Sequence, residues 1–158
     1  GKLKKVKPNI KFSSDFIIGY PGETNDDFEK SVEIAKKVNF INTYSYLYSA
    51  RPGTPAYHLE SINLKEAKDR LIKFQKVAEK IKTCYKKNMI KKKAKVLFEN
   101  RIKNENKYFG RDEYFNPVVV ESSEDLSGKI KDVEILKGNQ NTLYGKIVLN
   151  FNQTNYAA

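Results

Sequence analysis

One cysteine, one histidine and one methionine occur in 158 residues. A lone Cys84 excludes a disulfide framework. It also leaves no second thiol for a metal site, and its place beside an apolar helical stripe predicts a buried structural sulfur. A lone His58, with no Ser or Cys partner evident, excludes a nucleophilic triad and any His/Cys cluster at metal-ligand spacing. Long apolar runs are missing too. No membrane span is expected, and the lysine-rich opening residues do not fit a signal peptide. An enzyme built from these side chains alone has little chemistry, so any difficult step must come from a cofactor held elsewhere.

What is abundant is positive charge. The formal net charge is +11, and hydrophobic residues make up 39% of the chain, enough for a core. The charge is unevenly placed: residues 65–103 hold fifteen Lys/Arg against four Asp/Glu, so the rest of the chain is neutral. A local basic block reads as a surface for phosphate. The alternative is a genome-wide excess of lysine and asparagine codons.

The pattern divides near residues 88–94. Before it, Phe16-Ile17-Ile18 forms a short apolar run, as in a strand buried on both faces of a parallel sheet. Gly19-Tyr20-Pro21-Gly22 ends it, and Thr24, Asp26 and Asp27 start a helix over 25–38. Residues 40–48 form the next strand, which completes a βαβ unit. Leu64, Ala67, Leu71, Phe74, Ala78, Ile81 and Tyr85 then predict a helix over about 64–90, with Asn63 and Glu66 as its capping box. Beyond it, 94–99, 107–111, 117–121, 129–136 and 142–149 read as five short strands punctuated by Gly110, Gly128, Gly138 and Gly145. That density suggests a small OB-type barrel, a common nucleic-acid platform.

Two loops stand out. "IIGYPGE" lies at the C-terminal end of a parallel strand, where such folds place ligands. Its glycines allow close approach, and Glu23 can hydrogen-bond a ribose or an amine. Alternatively it is a plain strand-to-helix turn, with Glu23 favourable near the helix start. The loop "ARPGTP" follows the second strand and belongs at the same end. Arg51 on so stiff a loop suits a carboxylate or phosphate, or pairs with a nearby acid.

"SSDFIIGYPGETNDDFEKSVEIAKKVNF" followed by "YSYLYSARPGTPAY" resembles the radical S-adenosylmethionine methylthiotransferases. Tyr20 stands where that family usually has Phe. "VLFE", "GRDEYFNPVVV", "GKIKDVEI" and "TLYGKIV" are similar to the strands of the family's TRAM domain, an OB-like RNA-binding barrel, with Asp112 in place of its usual Thr. The run Arg51-Pro52-Gly53-Thr54 looks most like the branch that acts on isopentenyladenosine in tRNA. Related branches act on threonylcarbamoyladenosine or on a ribosomal-protein aspartate.

The resemblance implies an α/β chain. Residues 1–90 would be the C-terminal part of a partial TIM-like radical barrel, including the basic helix, 91–150 the TRAM domain, and 151–158 a tail. It implies S-adenosylmethionine and two 4Fe-4S clusters, whose cysteine motifs do not occur here; a C-terminal fragment, inactive alone, is therefore expected. Ile17, Gly19, Pro21, Gly22 and Glu23, with Arg51, would lie on the cofactor side. Lys93, Lys95, Arg101 and Arg111 would contact the phosphates of a tRNA anticodon arm. Tyr108, Phe109, Tyr114 and Phe115 are stacking candidates, at least half of them expected in the core instead. A cytoplasmic monomer is expected, the rival being an RNA-binding module with no chemistry of its own.

Overall fold

The computed structural model describes residues 2–148, and the chain divides into two units, Gly1–Lys82 and Thr83–Ala158. The polar tail, and Leu149 at the end of the fifth expected strand, lie outside the described residues.

The first unit opens with a short exposed helix, α1 (Lys2–Val6), followed by β1 (Ser13–Ile18), α2 (Asn25–Val38) and β2 (Asn42–Leu47). The strands pair in parallel, from Ser13 opposite Asn42 to Ile18 opposite Leu47. Helix α2 starts where its first residues direct. The Thr24 hydroxyl accepts the Asp27 N–H, and the Asp27 carboxylate accepts the Thr24 N–H, a reciprocal cap that stabilises the first turn by about 1 kcal/mol. Asn39 ends it in the left-handed conformation, with its N–H on Ala35 O.

A single 3-10 turn (Pro55–His58) leads to α3 (Leu64–Lys87), whose last turn belongs to the second unit. Asn63 caps α3 by accepting the Lys65 and Glu66 N–H groups. The Glu66 carboxylate does not complete the expected box; it bonds Arg70 instead. Ile18, Phe28, Val32, Ala35 and Phe74 form this unit's core, and the Phe16 ring packs against Phe40 and Phe74.

β1 is not buried on both faces. The pleat sends Phe16 and Ile18 towards the helices and Ile17 to the opposite side, where it is 61% exposed beside exposed Tyr44 and Tyr46. Cys84 is also exposed, because Tyr85 takes the buried position next to it.

The second unit holds five strands: β3 (Lys93–Arg101), β4 (Lys107–Asp112), β5 (Pro117–Glu121), β6 (Ile130–Gly138) and β7 (Leu143–Ile147). They close into a barrel in the order β3-β4-β5-β7-β6, with β6 returning to β3. Only β5–β7 is parallel among these pairs. This fits the OB-like barrel expected of the tail. Val96, Phe98, Val118, Val120, Leu126, Val133, Ile135 and Leu143 fill it. Gly110 and Gly145 do not separate strands; they sit inside them. A Cβ on Gly145 would lie 2.5 Å from Glu134 O, so the barrel wall closes only because that position has no side chain.

The end of α3 fastens two barrel loops. Lys86, buried, donates to Gln140 O (2.7 Å) in the β6–β7 turn. Tyr85 accepts from Asn116 Nδ2 (3.1 Å), and Asn116 in turn bonds buried Asp112, whose carboxylate also accepts the N–H groups of Tyr114 and Asn116.

Burial pushes the Tyr85 hydroxyl pKa up to about 12. A folded value above the unfolded one, about 10, means full stabilisation below pH ~10. Above that the unfolded chain releases the proton first, and stability falls as pH approaches the folded value. Urea unfolding of the chain should show this alkaline loss, and Tyr85→Phe should flatten it. Identical pH profiles for the two proteins would assign the loss to other groups.

Candidate functional site

Both strands of the first unit end in the same device. After β1, Tyr20-Pro21-Gly22-Glu23 forms a turn in which the Glu23 N–H reaches Tyr20 O (2.9 Å) and Gly22 has φ +79°. After β2, Arg51-Pro52-Gly53-Thr54 repeats it: the Thr54 N–H reaches Arg51 O (3.3 Å) and Gly53 has φ +82°. Pro at the second position and a positive-φ Gly at the third are what a type II turn requires. The Thr54 hydroxyl adds a second bond to Arg51 O (2.8 Å). Because β1 and β2 are parallel neighbours, the two turns share one rim.

Arg70 on α3 fixes the first turn. Its guanidinium donates to Glu23 Oε1 (2.7 Å), Glu23 O (2.9 Å) and Glu66 Oε1 (2.5 Å). The Arg70 and Glu23 side chains are only 8% and 9% exposed. The other Glu23 oxygen accepts the Gly19 N–H (3.0 Å). Gly19 lies so close to α3 that a Cβ there would meet Ala67 Cβ at 2.8 Å.

The predicted cofactor-side residues therefore separate. Gly19 and Glu23 hold the turn to α3, and Pro21 is buried. Gly22 faces open space. Ile17 and Arg51 meet in a cleft of about 610 Å³, together with Tyr20, Tyr46 and Tyr48. The Tyr20 and Tyr48 rings pack edge to face, 5.1 Å apart. The Tyr48 hydroxyl is buried, and among the described residues it has no hydrogen-bond partner. Arg51 is exposed, and no ion pair of its guanidinium occurs among the described residues. Volume, aromatic walls and an uncommitted cation together suit a nucleoside-sized polar ligand.

The four predicted phosphate contacts are on the barrel. Lys93 and Lys95 lie on the outer face of β3, in register with Glu134 and Asp132 of β6. Arg101 braces its own loop through Glu105 O (2.9 Å) and Asn106 Oδ1 (2.6 Å). Arg111 bonds Glu99 Oε1 (2.9 Å) and sits over the Phe109 ring. Of the stacking candidates, Tyr108 is core, Phe109 and Tyr114 are half-buried, and Phe115 is exposed. The basic block is not one surface either, since Arg70 and Lys86 are consumed internally. Sequence reading missed Arg70, although its position between Ala67 and Phe74, on the buried side of α3, was the available signal.

The first unit thus offers a cleft at the C-terminal rim of two parallel strands, and a small closed barrel follows it in the sequence. No protein-family model matches the chain. Curated relatives do. The tRNA-2-methylthio-N(6)-dimethylallyladenosine synthase of Pelagibacter ubique is 43% identical over 92% of this chain, and the same-named protein of Photorhabdus laumondii 42% identical over 93%. That of Wolbachia pipientis is 38% identical over 91%. Over more than nine-tenths of its length the chain is therefore similar to part of proteins of that name. It spans about a third of the length of these relatives: 33%, 31% and 34%.

Breaking a buried ion pair from one side strands the other charge. Glu23→Leu is expected to cost about 3–5 kcal/mol of stability, read as a lower urea midpoint. A cost below about 1 kcal/mol, the range of an exposed pair, would contradict the buried role.

Proposed function

We propose that this chain is part of a tRNA methylthiotransferase that adds a methylthio group to carbon 2 of N(6)-isopentenyladenosine next to the anticodon. The observation that carries the reading is the joint one: relatives of that name match nearly the whole chain, and two matching Pro-Gly turns frame a nucleoside-sized cleft. On this reading residues 1–90 are the last units of a radical S-adenosylmethionine barrel, 91–150 a TRAM domain that holds the anticodon arm, and 151–158 a tail. The enzyme works as a cytoplasmic monomer. Among the described residues no helix is long and apolar enough to cross a membrane.

S-adenosylmethionine, when bound, supplies the methyl group and the radical chemistry that activates the adenine carbon. Ile17, Tyr20, Tyr46 and Tyr48 would offer it apolar and aromatic walls, and Arg51 a cation for a carboxylate or phosphate. Gly19, Pro21, Gly22 and Glu23 act indirectly, by holding the first turn in place. The residues present do not fit a 4Fe-4S cluster. Cys84 is the only cysteine in the sequence, and among the described residues no three His, Cys, Asp or Glu side chains gather as a metal site. We assign the cluster ligands to the part of the enzyme that its relatives have and this chain does not span.

Nucleoside analysis of tRNA from cells lacking the gene tests the reading. The methylthio form of isopentenyladenosine should disappear and the unmodified precursor accumulate. Complementation with the Arg51→Ala enzyme should restore methylthiolation about 10- to 100-fold less efficiently, the loss of one charge-assisted contact. Methylthiolated tRNA persisting without the gene would overturn the assignment.

A further inference from the structure

Three large apolar side chains lie exposed at the same end of the barrel. Strand register sets Leu97 of β3 opposite Ile130 of β6 on one side and Arg111 of β4 on the other. Val96 and Phe98 point into the core, so Leu97 points out and Ile130 shares its face; they are 47% and 66% exposed. Arg111 is the last outward residue of β4, and Phe115 follows in the β4–β5 turn, 74% exposed. The Arg111 Nε donates to Glu99 (2.9 Å) and its guanidinium lies over the Phe109 ring. Its charge is thus answered within the barrel, and its aliphatic stem continues the apolar row.

Phe115 carries two local costs. Its ring is exposed, and its φ of +60° is left-handed, a conformation that suits glycine at this point of a hairpin turn. The turn is nevertheless fixed. The buried Asp112 carboxylate accepts the Tyr114 and Asn116 N–H groups, the Phe115 N–H reaches Asp112 O (3.0 Å), and Asn116 is tied to Tyr85. Among the described residues the Phe115 ring meets no other ring and no cation. A rigid turn that presents an aromatic in this way is preorganised as an interface anchor, because little freedom is left to lose on contact.

The surroundings favour a protein surface over a nucleic acid. Leucine and isoleucine offer no π face to a base, and residues 112–116 hold two carboxylates and no cation to meet a phosphate. The chain spans only about a third of its relatives' length, so most of what those relatives contain lies outside it. We propose that Phe115, Leu97 and Ile130 dock the barrel against an apolar surface in the part of the methylthiotransferase that this chain does not span. The existence of that part rests on the reading above; the docking surface rests on register, exposure and the left-handed turn. Phe115 is the anchor, and the two aliphatic side chains flank it.

Replacing Phe115 with its trifluoromethyl analogue, read by fluorine NMR with a soluble gadolinium chelate, tests this in the chain and in the full-length enzyme, both free of RNA. The chelate should broaden the signal strongly in the chain, and most of that broadening should be lost in the full-length enzyme. Equal broadening in the two proteins would overturn the docking surface, while methylthiolation of tRNA by the same full-length sample reads the function separately. Protection that appears only when RNA is added would also overturn it, in favour of a base contact. Phe115→Gly gives a second readout. Glycine takes this φ without strain, so the chain's thermal midpoint should rise by about 2–4 °C, whereas that of the full-length enzyme should fall. A fall in the chain itself would place the ring in the chain's own packing and contradict the proposal.

Discussion

The Arg70–Glu23 pair is the interaction on which the first unit's functional geometry depends. One guanidinium ties the long helix to the backbone and the carboxylate of the turn after β1, and the same carboxylate secures the Gly19 amide. Ion pairs this buried add little net stability against an apolar alternative, because desolvation offsets most of the Coulomb gain. What the pair contributes is position. A charge with its partners fixed in three directions cannot slide, so the turn it holds keeps one place relative to β1. The cleft wall formed by Ile17 and Tyr20 is then set by the core rather than by the loop's own stiffness.

The barrel reaches a comparable end by a different route. Its strands close on themselves and leave no edge, and its loops are fastened from the end of α3 through Tyr85 and Lys86. In both units the buried polar groups are joints between a helix and a loop. The exposed Arg51 takes no part in such a joint. This division explains why a chain with so many lysines uses so few of its cations internally.

Much of the fold was legible in the sequence because local and tertiary signals agreed. Thr24 and Asp27 marked the start of α2, and the apolar spacing from Ala67 to Tyr85 marked α3. The five tail strands followed from their alternation and their intervening polar loops. The open face of β1 was not legible: a short apolar run looks the same whether one or both faces are covered, and only the missing layer distinguishes them. Nor were the roles of Glu23 and Gly19. A glutamate in a glycine loop fits a ligand contact and a buried brace equally well, and the deciding partner, Arg70, lies 47 residues away. Motif likeness in these same residues pointed to the relatives that the chain matches without showing which residues face the cleft.

The most direct test of this account is a double-mutant cycle on the buried pair, using Glu23→Leu, Arg70→Met and both together, with stability measured by urea unfolding. The account predicts strong coupling: the double variant should be more stable than the sum of the single losses requires by roughly 1.5–3 kcal/mol, because neither charge is left stranded. Additivity within about 0.5 kcal/mol would show that the two side chains act independently, and the turn would then owe its position to its own proline and glycine alone.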